Sequence, residues 1–482
     1  MEEIRLCKIK RNIAFVNVTP EIKNQINSRR RHPRHYLPPI DIGYSAALLE
    51  SKDYKCSLLD TTLASFSYLE IMNSADLLLA DIIVLRPNEN AYDLTIKLAN
   101  DLRDRIGSEV FLFVIGPVAS MSVDYFMFPE TPFDLCLIGE PEYGLVEALE
   151  LLERGRHLRG IRGTAYVCDG KLRIEGKREA IVDLDSLPLP KHDFFLDKGY
   201  LFFYPVKGMI KKKVGFMLAS RGCPHKCLFC SPIGRVSYGK TYRRRSVGNI
   251  LKEICFLIDS GVNLIYFLDD IFNCDELFVE ELCYQITKNN LRIRWAAQCR
   301  IDKITPKLLR LMRKSGCVCL NMGIESGSKR ILKMFDKDMD LDEVLKKVCY
   351  CKSIGICTVG NFILGMVGEL EQDREKTMEF IIKAKFNLVE VLFFNPYPGS
   401  RAFKKYGNNK DVDMYSRYEI VCGENRVMRK STIKRFRSGI YRKFYISLRF
   451  IFNDGLNYIF SIALNGKNER VLFKKIVRYI MS

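Results

Sequence analysis

Short apolar runs alternate with amphipathic stretches twice along this chain, first from Lys10 to about Arg156 and again from Val214 to about Gly399. Alternation of this kind is typical of βα units that build a parallel sheet covered by helices. At 482 residues the chain is also too long for one ordinary core. The pattern therefore predicts two successive α/β domains.

The first series contains predicted helices such as Ala91 to Arg105 and Pro141 to Arg154. Its predicted strands are Ile13 to Val18, Cys56 to Leu59, Asp81 to Leu85, Val110 to Ile115 and Leu135 to Ile138. Five strands in this order predict a doubly wound, Rossmann-like sheet of the flavodoxin-like kind, which binds ligands beyond the carboxyl ends of its strands.

The second series contains six predicted strands separated by helical stretches. The strands lie near residues 214–220, 263–268, 292–297, 318–324, 358–364 and 389–394. Six successive βα units predict a partial (β/α)6 barrel, in which the functional loops follow the carboxyl ends of the strands.

The segment between the two series loses the alternation. A hairpin is predicted around Asp169-Gly170, and Pro188 and Pro190 limit helix formation after it. We therefore expect four regions, namely a domain over 1–156, a linker over 157–208, a barrel over 209–400 and a basic, mainly helical region over 401–482.

The composition is that of a folded soluble protein, with 48% hydrophobic and 28% charged residues. Met1 to Lys10 carries charges of both signs, and the apolar run from Ile13 to Val18 is too short for a signal peptide. The 17 cysteines are scattered and lack the framework of a small secreted scaffold. We expect reduced thiols and a cytoplasmic location.

Much of the net charge of +19 comes from the end of the chain, since residues 401–482 hold 19 Lys or Arg against 6 Asp or Glu. Basic and aromatic residues are interleaved from Lys434 to Phe450. Charged residues interrupt the apolar stretch from Phe444 to Leu464, so we do not expect it to span a bilayer. Peripheral contact with anionic lipid and a helical cap packed on the barrel both remain open.

Three cysteines, Cys223, Cys227 and Cys230, lie at intervals of four and three residues directly after a predicted strand. Iron–sulfur clusters usually take four cysteines, so a loop that offers three leaves one iron open for chemistry. A structural zinc site is the alternative, with His225 as a fourth ligand. The position of His225 inside the loop makes a shared tetrahedral geometry awkward.

This Cys-x-x-x-Cys-x-x-Cys loop resembles that of the radical S-adenosylmethionine (SAM) superfamily. The resemblance includes Phe229, which stands at the family position that contacts the adenine. It implies a [4Fe–4S] cluster, whose open iron chelates the methionine amino and carboxylate groups of SAM. One electron then cleaves the sulfonium to a 5′-deoxyadenosyl radical.

Polar residues follow the second and third strands of the predicted barrel. Asp269 and Asp270 resemble the Asp-Asp-x-Phe of similar family members and are candidates for binding the methionine ammonium, although a helix N-cap or solvated turn is the plainer interpretation. Arg300 is the candidate catalytic residue, because an arginine at the barrel mouth could neutralise a carboxylate. A surface ion pair is nearly as plausible.

Two further segments resemble parts of the family that bind SAM. Glu325 and Ser326 lie in the segment that meets the methionyl end and the ribose, and Gly365 lies in the glycine turn that approaches the adenine. The second match is imperfect, because Asn361 stands where a glycine is often found. The turn over 395–400 resembles that of the cobalamin-associated branch.

The first domain resembles the cobalamin-binding domain that precedes the barrel in many radical SAM proteins. The candidate cofactor-binding residues are Pro39, Gly116, Gly139 and Glu140. The first βα loop lacks Asp-x-His-x-x-Gly, and His32 and His35 fit a basic solvated loop better than a cobalt ligand. Base-off cobalamin without a protein ligand is expected, and a degenerate domain that binds no cofactor is the rival.

These features together predict a radical SAM enzyme that methylates an unactivated carbon with the help of cobalamin. An oxidative cyclase or ring-rearranging enzyme of the same architecture is the close alternative. The expected partners are a small-molecule substrate and an electron donor such as flavodoxin or ferredoxin. An RNA-modifying enzyme is less favoured, because no compact RNA-binding fold is evident beside the basic tail.

Overall fold

The computed structural model describes residues 12–19, 37–63, 68–89, 91–200, 213–230, 238–397, 399–406 and 430–446. Two compact units divide the chain, one built mainly from residues before Tyr200 and the other mainly from residues after it. The loop with His32 and His35 and everything beyond residue 446 lie outside the described residues.

The first unit is built on a sheet with the strand order β2-β1-β3-β4-β5-β6-β7. The strands are β1 (Asn12–Val18), β2 (Lys55–Asp60), β3 (Ile82–Pro87), β4 (Phe111–Val114), β5 (Leu135–Leu137), β6 (Thr164–Cys168) and β7 (Lys171–Ile174). The pairs from β2 through β5 are parallel. The order 2-1-3-4-5 of the parallel strands is that of a flavodoxin-like sheet, which confirms the predicted doubly wound fold.

Helices of the first unit connect these strands. They are α1 (Ile40–Glu50), α2 (Tyr68–Met72), α3 (Ala75–Leu78), α4 (Tyr92–Ile106), α5 (Gly116–Met121), α6 (Val123–Phe126) and α7 (Glu142–Glu153). In α4, Leu94, Leu98 and Leu102 recur at every fourth position and are buried, which is the stripe of an amphipathic helix.

The predicted hairpin around Asp169-Gly170 is present, formed by β6 and β7. β6 pairs antiparallel with β5, so this hairpin extends the first sheet. The segment expected as a linker therefore contributes two strands to the first unit.

The second unit contains six parallel strands in sequence order, β8-β11-β12-β13-β14-β15. They are β8 (Val214–Met217), β11 (Leu264–Phe267), β12 (Arg294–Cys299), β13 (Cys317–Glu325), β14 (Cys357–Leu364) and β15 (Leu388–Phe393), and two short strands, β9 (Ser220–Arg221) and β10 (Arg243–Arg244), lie between β8 and β11. This arrangement confirms the predicted partial barrel.

Helices follow the barrel strands. They are α8 (Val247–Asp259), α9 (Glu276–Lys288), α10 (Pro306–Lys314), α11 (Lys329–Met334), α12 (Leu341–Ser353), α13 (Glu371–Ala384), α14 (Arg401–Tyr406) and α15 (Lys430–Tyr445). The side chains of Ser246, Asp275 and Thr305 accept hydrogen bonds from backbone N–H groups at the starts of α8, α9 and α10. Such capping fixes where each helix begins, and so the loop before it.

The basic helix α15 lies against the last barrel strand. The Tyr441 hydroxyl accepts a hydrogen bond from Val391 N at 2.9 Å, and Tyr445 bonds both N and O of Val389. These contacts protect part of the exposed edge of β15, which is what the cap interpretation predicts. None of the described helices is both long and apolar enough to cross a membrane.

Candidate active site

The three cysteines of the predicted cluster motif lie on one loop at the carboxyl end of the first barrel strand. Cys223, Cys227 and Cys230 are each partly exposed, and none is in a disulfide bond. Burial raises the pKa of the Cys227 thiol, while the charges of Lys337 and Arg300 act to lower it. Among the described residues, no group of three or more His, Cys, Asp or Glu side chains is gathered for a single metal ion.

Backbone hydrogen bonds hold the middle of this cysteine loop in place. Leu228 N donates to Phe335 O at 2.8 Å, and Leu228 O accepts from Ala402 N at 3.1 Å. The three side chains belong to one apolar cluster, and Phe229 packs edge-on against Phe335 with ring centroids 4.8 Å apart. Helices α11 and α14 therefore fix the loop at its centre.

Asp269 and Asp270 differ in exposure and in hydrogen bonding. The Asp269 carboxylate is buried and accepts hydrogen bonds from Ala219 N at 3.0 Å and from the Ser220 hydroxyl. Burial raises the pKa of Asp269 to about 6, against the lowering effect of these bonds. Asp270 is exposed. Asp269 thus anchors the backbone that leads into the cysteine loop, and Asp270 remains available to a ligand.

Glu325, at the end of β13, forms a buried ion pair with Lys337. The Lys337 ammonium lies 2.7 Å from Glu325 Oε1 and 2.8 Å from Gly323 O, and it stands 5.7 Å from the centre of the Phe229 ring. A side chain at Gly323 would lie 2.4 Å from Glu325 Oε1. Glycine is therefore required there, because the ion pair fills the space beside it.

Ser326 is buried in the contact between the end of β13 and α13. Its hydroxyl lies 3.0 Å from Thr377 Oγ1 and accepts a hydrogen bond from Ser328 N at 3.1 Å. Gly327 N donates to the same threonine oxygen at 3.0 Å. In this structure Ser326 serves to dock the turn on the helix layer.

Gly365 adopts a positive φ of 85°, a conformation that favours glycine and that suits a turn whose backbone a ligand approaches closely. Its N–H donates to Glu369 Oε2 at 2.7 Å. Burial raises the pKa of Glu369 to about 7, although the Gly365 N–H and the charge of Arg374 act in the opposite direction. Glu369, which the sequence analysis did not identify, therefore shapes the glycine turn.

Arg300 lies where the end of β12 meets the cysteine loop. Its guanidinium forms a two-point contact with Asp302, at 3.2 Å from Nε and 2.9 Å from Nη2, and also donates to Asp338 O. Nη1 lies 3.3 Å from His225 Nδ1. The Arg300 side chain is only 12% exposed, so its ion pair with Asp302 is not a surface pair. Arg300 connects the end of β12 to the cysteine loop.

The candidate residues of the first unit also separate into different roles. Pro39 precedes α1, and Gly116 and Gly139 follow β4 and β5 with positive φ angles of 93° and 88°. Glu140 is instead buried, where it pairs with Arg243 at 3.0 Å and accepts from Ile181 N at 2.7 Å. The two glycines turn the backbone at the strand ends, with Gly116 buried and Gly139 partly exposed, whereas the buried Glu140 ties neighbouring segments of the chain together.

A polar network that the sequence analysis did not anticipate lies between the ends of β1 and β3. Arg86 donates to Asp41 Oδ2 at 2.7 Å, to Asn17 Oδ1 at 3.1 Å and to Asn88 Oδ1 at 2.8 Å. Asp41 Oδ1 is buried without a hydrogen-bond partner among the described residues. Strand order reverses at this point, so the network lies at the ligand-binding crevice of a doubly wound sheet.

Residues 217–381 match the family model of the radical SAM superfamily. The match covers the cysteine loop and the strands that carry Asp269, Arg300, Glu325 and Gly365. Residues 217–381 therefore form a radical SAM domain, of an enzyme class whose cofactors are a [4Fe–4S] cluster and SAM.

Curated relatives match most of the chain. An uncharacterized methyltransferase of Pyrococcus horikoshii is 28% identical over 416 residues, covering 85% of this chain and 87% of the relative. The anaerobic magnesium-protoporphyrin IX monomethyl ester cyclase of Rubrivivax gelatinosus is 24% identical, covering 86% and 75% of the two chains. The chain is thus similar to proteins named for two different reactions.

Among solved structures, the chain is similar to the radical SAM methyltransferase TsrM from Kitasatospora setae, solved with cobalamin and a [4Fe–4S] cluster bound. The TM-score is 0.65 at 15% identity, with 82% of this chain and 74% of TsrM covered. At this identity the likeness shows a shared fold.

Proposed function

We propose that this enzyme cleaves SAM reductively at a cluster bound by Cys223, Cys227 and Cys230, and methylates an unactivated carbon of a small molecule with the help of cobalamin. The observation that carries the proposal is the position of the cysteine loop beside the Glu325–Lys337 ion pair, where the Lys337 ammonium lies 5.7 Å from the centre of the Phe229 ring of that loop. The regions proposed for these tasks are a cobalamin domain over 1–156 and a barrel over 209–400.

The three thiols fit a cubane cluster by their chemistry and by their setting. Thiolates are the usual ligands of such clusters, and three of them leave one iron open. Burial raises the pKa of the Cys227 thiol, and the positive charges of Lys337 and Arg300 oppose that rise, as a thiolate ligand requires. The cluster and its cosubstrate together supply a 5′-deoxyadenosyl radical.

The Glu325–Lys337 pair is complementary to the methionyl end of SAM, which carries one ammonium and one carboxylate group. We assign the Glu325 carboxylate to the ammonium and the Lys337 ammonium to the carboxylate. Exposed Asp270 is a second acceptor for the ammonium. Because both members of the ion pair are buried, a ligand that replaces one partner must offer the same charge.

The first unit is the part of the chain that we assign to cobalamin. Gly116 and Gly139 turn the backbone with positive φ at two neighbouring strand ends. Asp41 Oδ1, which has no hydrogen-bond partner among the described residues, can accept a hydrogen bond from an amide group of the cofactor. Bound cobalamin would supply the methyl group. The similarity to TsrM, solved with cobalamin, supports this assignment.

Oxidative cyclisation is the second candidate, and the similarity to the Rubrivivax gelatinosus cyclase favours it. The two reactions differ in their products, because methylation adds one carbon to the substrate and cyclisation adds none. Transfer of label from SAM carrying a ¹³C methyl group therefore separates them.

The test is anaerobic reconstitution of the full chain with iron, sulfide and hydroxocobalamin, followed by metal analysis and an assay for 5′-deoxyadenosine with a chemical reductant. We expect about four irons per chain, retained cobalt, and 5′-deoxyadenosine formed from SAM. Iron and SAM cleavage without retained cobalt would leave the radical chemistry standing and remove the cobalamin-dependent methylation.

A further inference from the structure

One face of strands β14 and β15 points into the barrel. The ring of Phe362 packs against Phe380 and Phe386 on the helix side, with centroids 6.3 Å and 5.9 Å away. Side chains alternate along a strand, so the neighbours Asn361 and Ile363 face the interior. Two residues of β15 lie in register with them and share this face, namely Glu390 beside Asn361 and Leu392 beside Ile363.

Asn361 presents a buried hydrogen-bond acceptor on this face. Its Nδ2 donates to Asn321 Oδ1 at 2.7 Å, which fixes the orientation of the amide. Its Oδ1 is buried and has no hydrogen-bond partner in the described part of the chain. Such an oxygen is costly to leave unpaired, so the barrel interior is prepared for a donor.

The charge and shape around this oxygen define the donor further. The Glu390 carboxylate belongs to the same face and acts, after burial, to raise the pKa of the buried Tyr266 hydroxyl. Leu392 is 56% exposed, although the face on which it lies points inward. β15 is the last strand of the sheet. An acceptor, a negative charge and an apolar surface therefore lie side by side.

We propose that Asn361, Glu390 and Leu392 form the substrate subsite of this enzyme, and that it takes an amino group attached to an apolar carbon chain. The Asn361 oxygen accepts an N–H, the Glu390 carboxylate neutralises the ammonium charge, and Leu392 contacts the adjacent carbons. A carboxylate at the same position would face the Glu390 charge and is excluded. This inference rests on the proposed function, since it concerns the substrate of the same barrel.

The test compares two probes of equal length, hexylamine and hexanoate, by saturation-transfer NMR on the anaerobically reconstituted full chain. We expect hexylamine to bind and hexanoate to give no signal. Asn361→Leu should weaken hexylamine binding about tenfold, the value of a hydrogen bond to a charged group. Equal binding of both probes, or an unchanged affinity in this variant, would overturn the proposal.

A second variant keeps the test valid if Asn361→Leu does not fold. Leu392→Ser changes an exposed side chain and should reduce hexylamine binding with the fold intact. The matched control is Leu277→Ser, on helix α9, where the leucine is 76% exposed; hexylamine affinity should not change there. Equal effects of the two leucine substitutions would place the amine elsewhere.

The same preparation is also assayed for 5′-deoxyadenosine, which distinguishes failure of the subsite from failure of the proposed function. If the enzyme cleaves SAM but does not bind hexylamine, the subsite is wrong and the proposed function stands. If SAM is not cleaved, the proposed function fails, and the subsite fails with it as a substrate site.

Discussion

The ammonium of Lys337 lies 2.7 Å from the carboxylate of Glu325, and both side chains are more than nine-tenths buried. Glu325 adopts a positive φ of 73°, an unusual conformation for a residue other than glycine, asparagine or aspartate, which the ion pair and its neighbours must stabilise. The ion pair joins the end of β13 to Lys337, whose ammonium lies against the Phe229 ring of the cysteine loop. It is the most constrained part of the candidate site.

Loss of either partner of this pair should have two separable effects. Lys337→Met leaves a buried carboxylate alone and should lower the free energy of unfolding by about 3–5 kcal/mol. The double variant Lys337→Met, Glu325→Gln removes both charges and should recover much of that stability. Neither variant should regain SAM affinity in equilibrium dialysis. If the stabilised double variant bound SAM like the wild type, the pair would have a structural role alone.

The adjacent residues Asp269 and Asp270 provide a matched comparison. Asp269→Ala leaves Ala219 N–H without its buried acceptor, at a cost of about 1–3 kcal/mol, and loosens the backbone that leads into the cysteine loop. We expect this variant to retain less iron. Asp270→Ala should keep its iron and bind SAM more weakly. Iron content and SAM affinity are measured on both proteins. If the two variants behaved alike, Asp269 and Asp270 would not have separate structural and SAM-binding roles.

Glu369 should make stability depend on pH. Burial raises its pKa from the ordinary value of 4.5 to about 7, so between these values the folded state binds more protons than the unfolded state. The free energy of unfolding should therefore fall as pH rises from 4.5 to 7, by up to about 3 kcal/mol, and stay level above pH 7. Glu369→Gln cannot titrate and should lack this decline. The measurement is the free energy of unfolding of the two cluster-free proteins, obtained from denaturant titrations at several pH values. If it declined equally with pH in both proteins, the assignment to Glu369 would be wrong.

Much of the fold could be predicted from the sequence, because parallel strands buried on both faces appear as continuous apolar runs such as Ile13 to Val18. The pairing of β6 with β5 could not, since the partner of a hairpin is chosen by tertiary packing. The backbone after β11 turns the Asp269 side chain inward and leaves the Asp270 side chain exposed, and the sequence does not show which of the two will be buried. Lys337 gave no local signal, because a lysine in sequence looks the same whether it is solvated or paired.

The glycine turns of the first unit should be required for cobalamin. The methyl group of an alanine at position 116 would lie 3.0 Å from Arg86 Cγ. The alanine would also have to adopt the φ of 93° that Gly116 has, which strains any residue other than glycine. Gly116→Ala should therefore lower the retained cobalt. The control is Gly160→Ala, where φ is 77° but nothing lies within 4 Å. Iron content should be unchanged in both, and equal cobalt in both would remove Gly116 from the cofactor site.

The absence of a histidine in the usual place predicts base-off cobalamin without a protein ligand beneath the cobalt. His32 and His35 lie outside the described residues, and His32→Ala and His35→Ala should each leave the cobalamin absorption spectrum unchanged. A clear spectral shift in either variant would show that this loop does bind the cobalt.

The rate of 5′-deoxyadenosine formation by the reconstituted Cys227→Ala protein decides whether the three thiols bind the cluster. Cys255→Ala, at an exposed cysteine of helix α8, is the matched control. We expect the wild type and the control to form 5′-deoxyadenosine from SAM at the same rate, and Cys227→Ala to form none. A normal rate in the Cys227→Ala protein would contradict the assignment of the cluster.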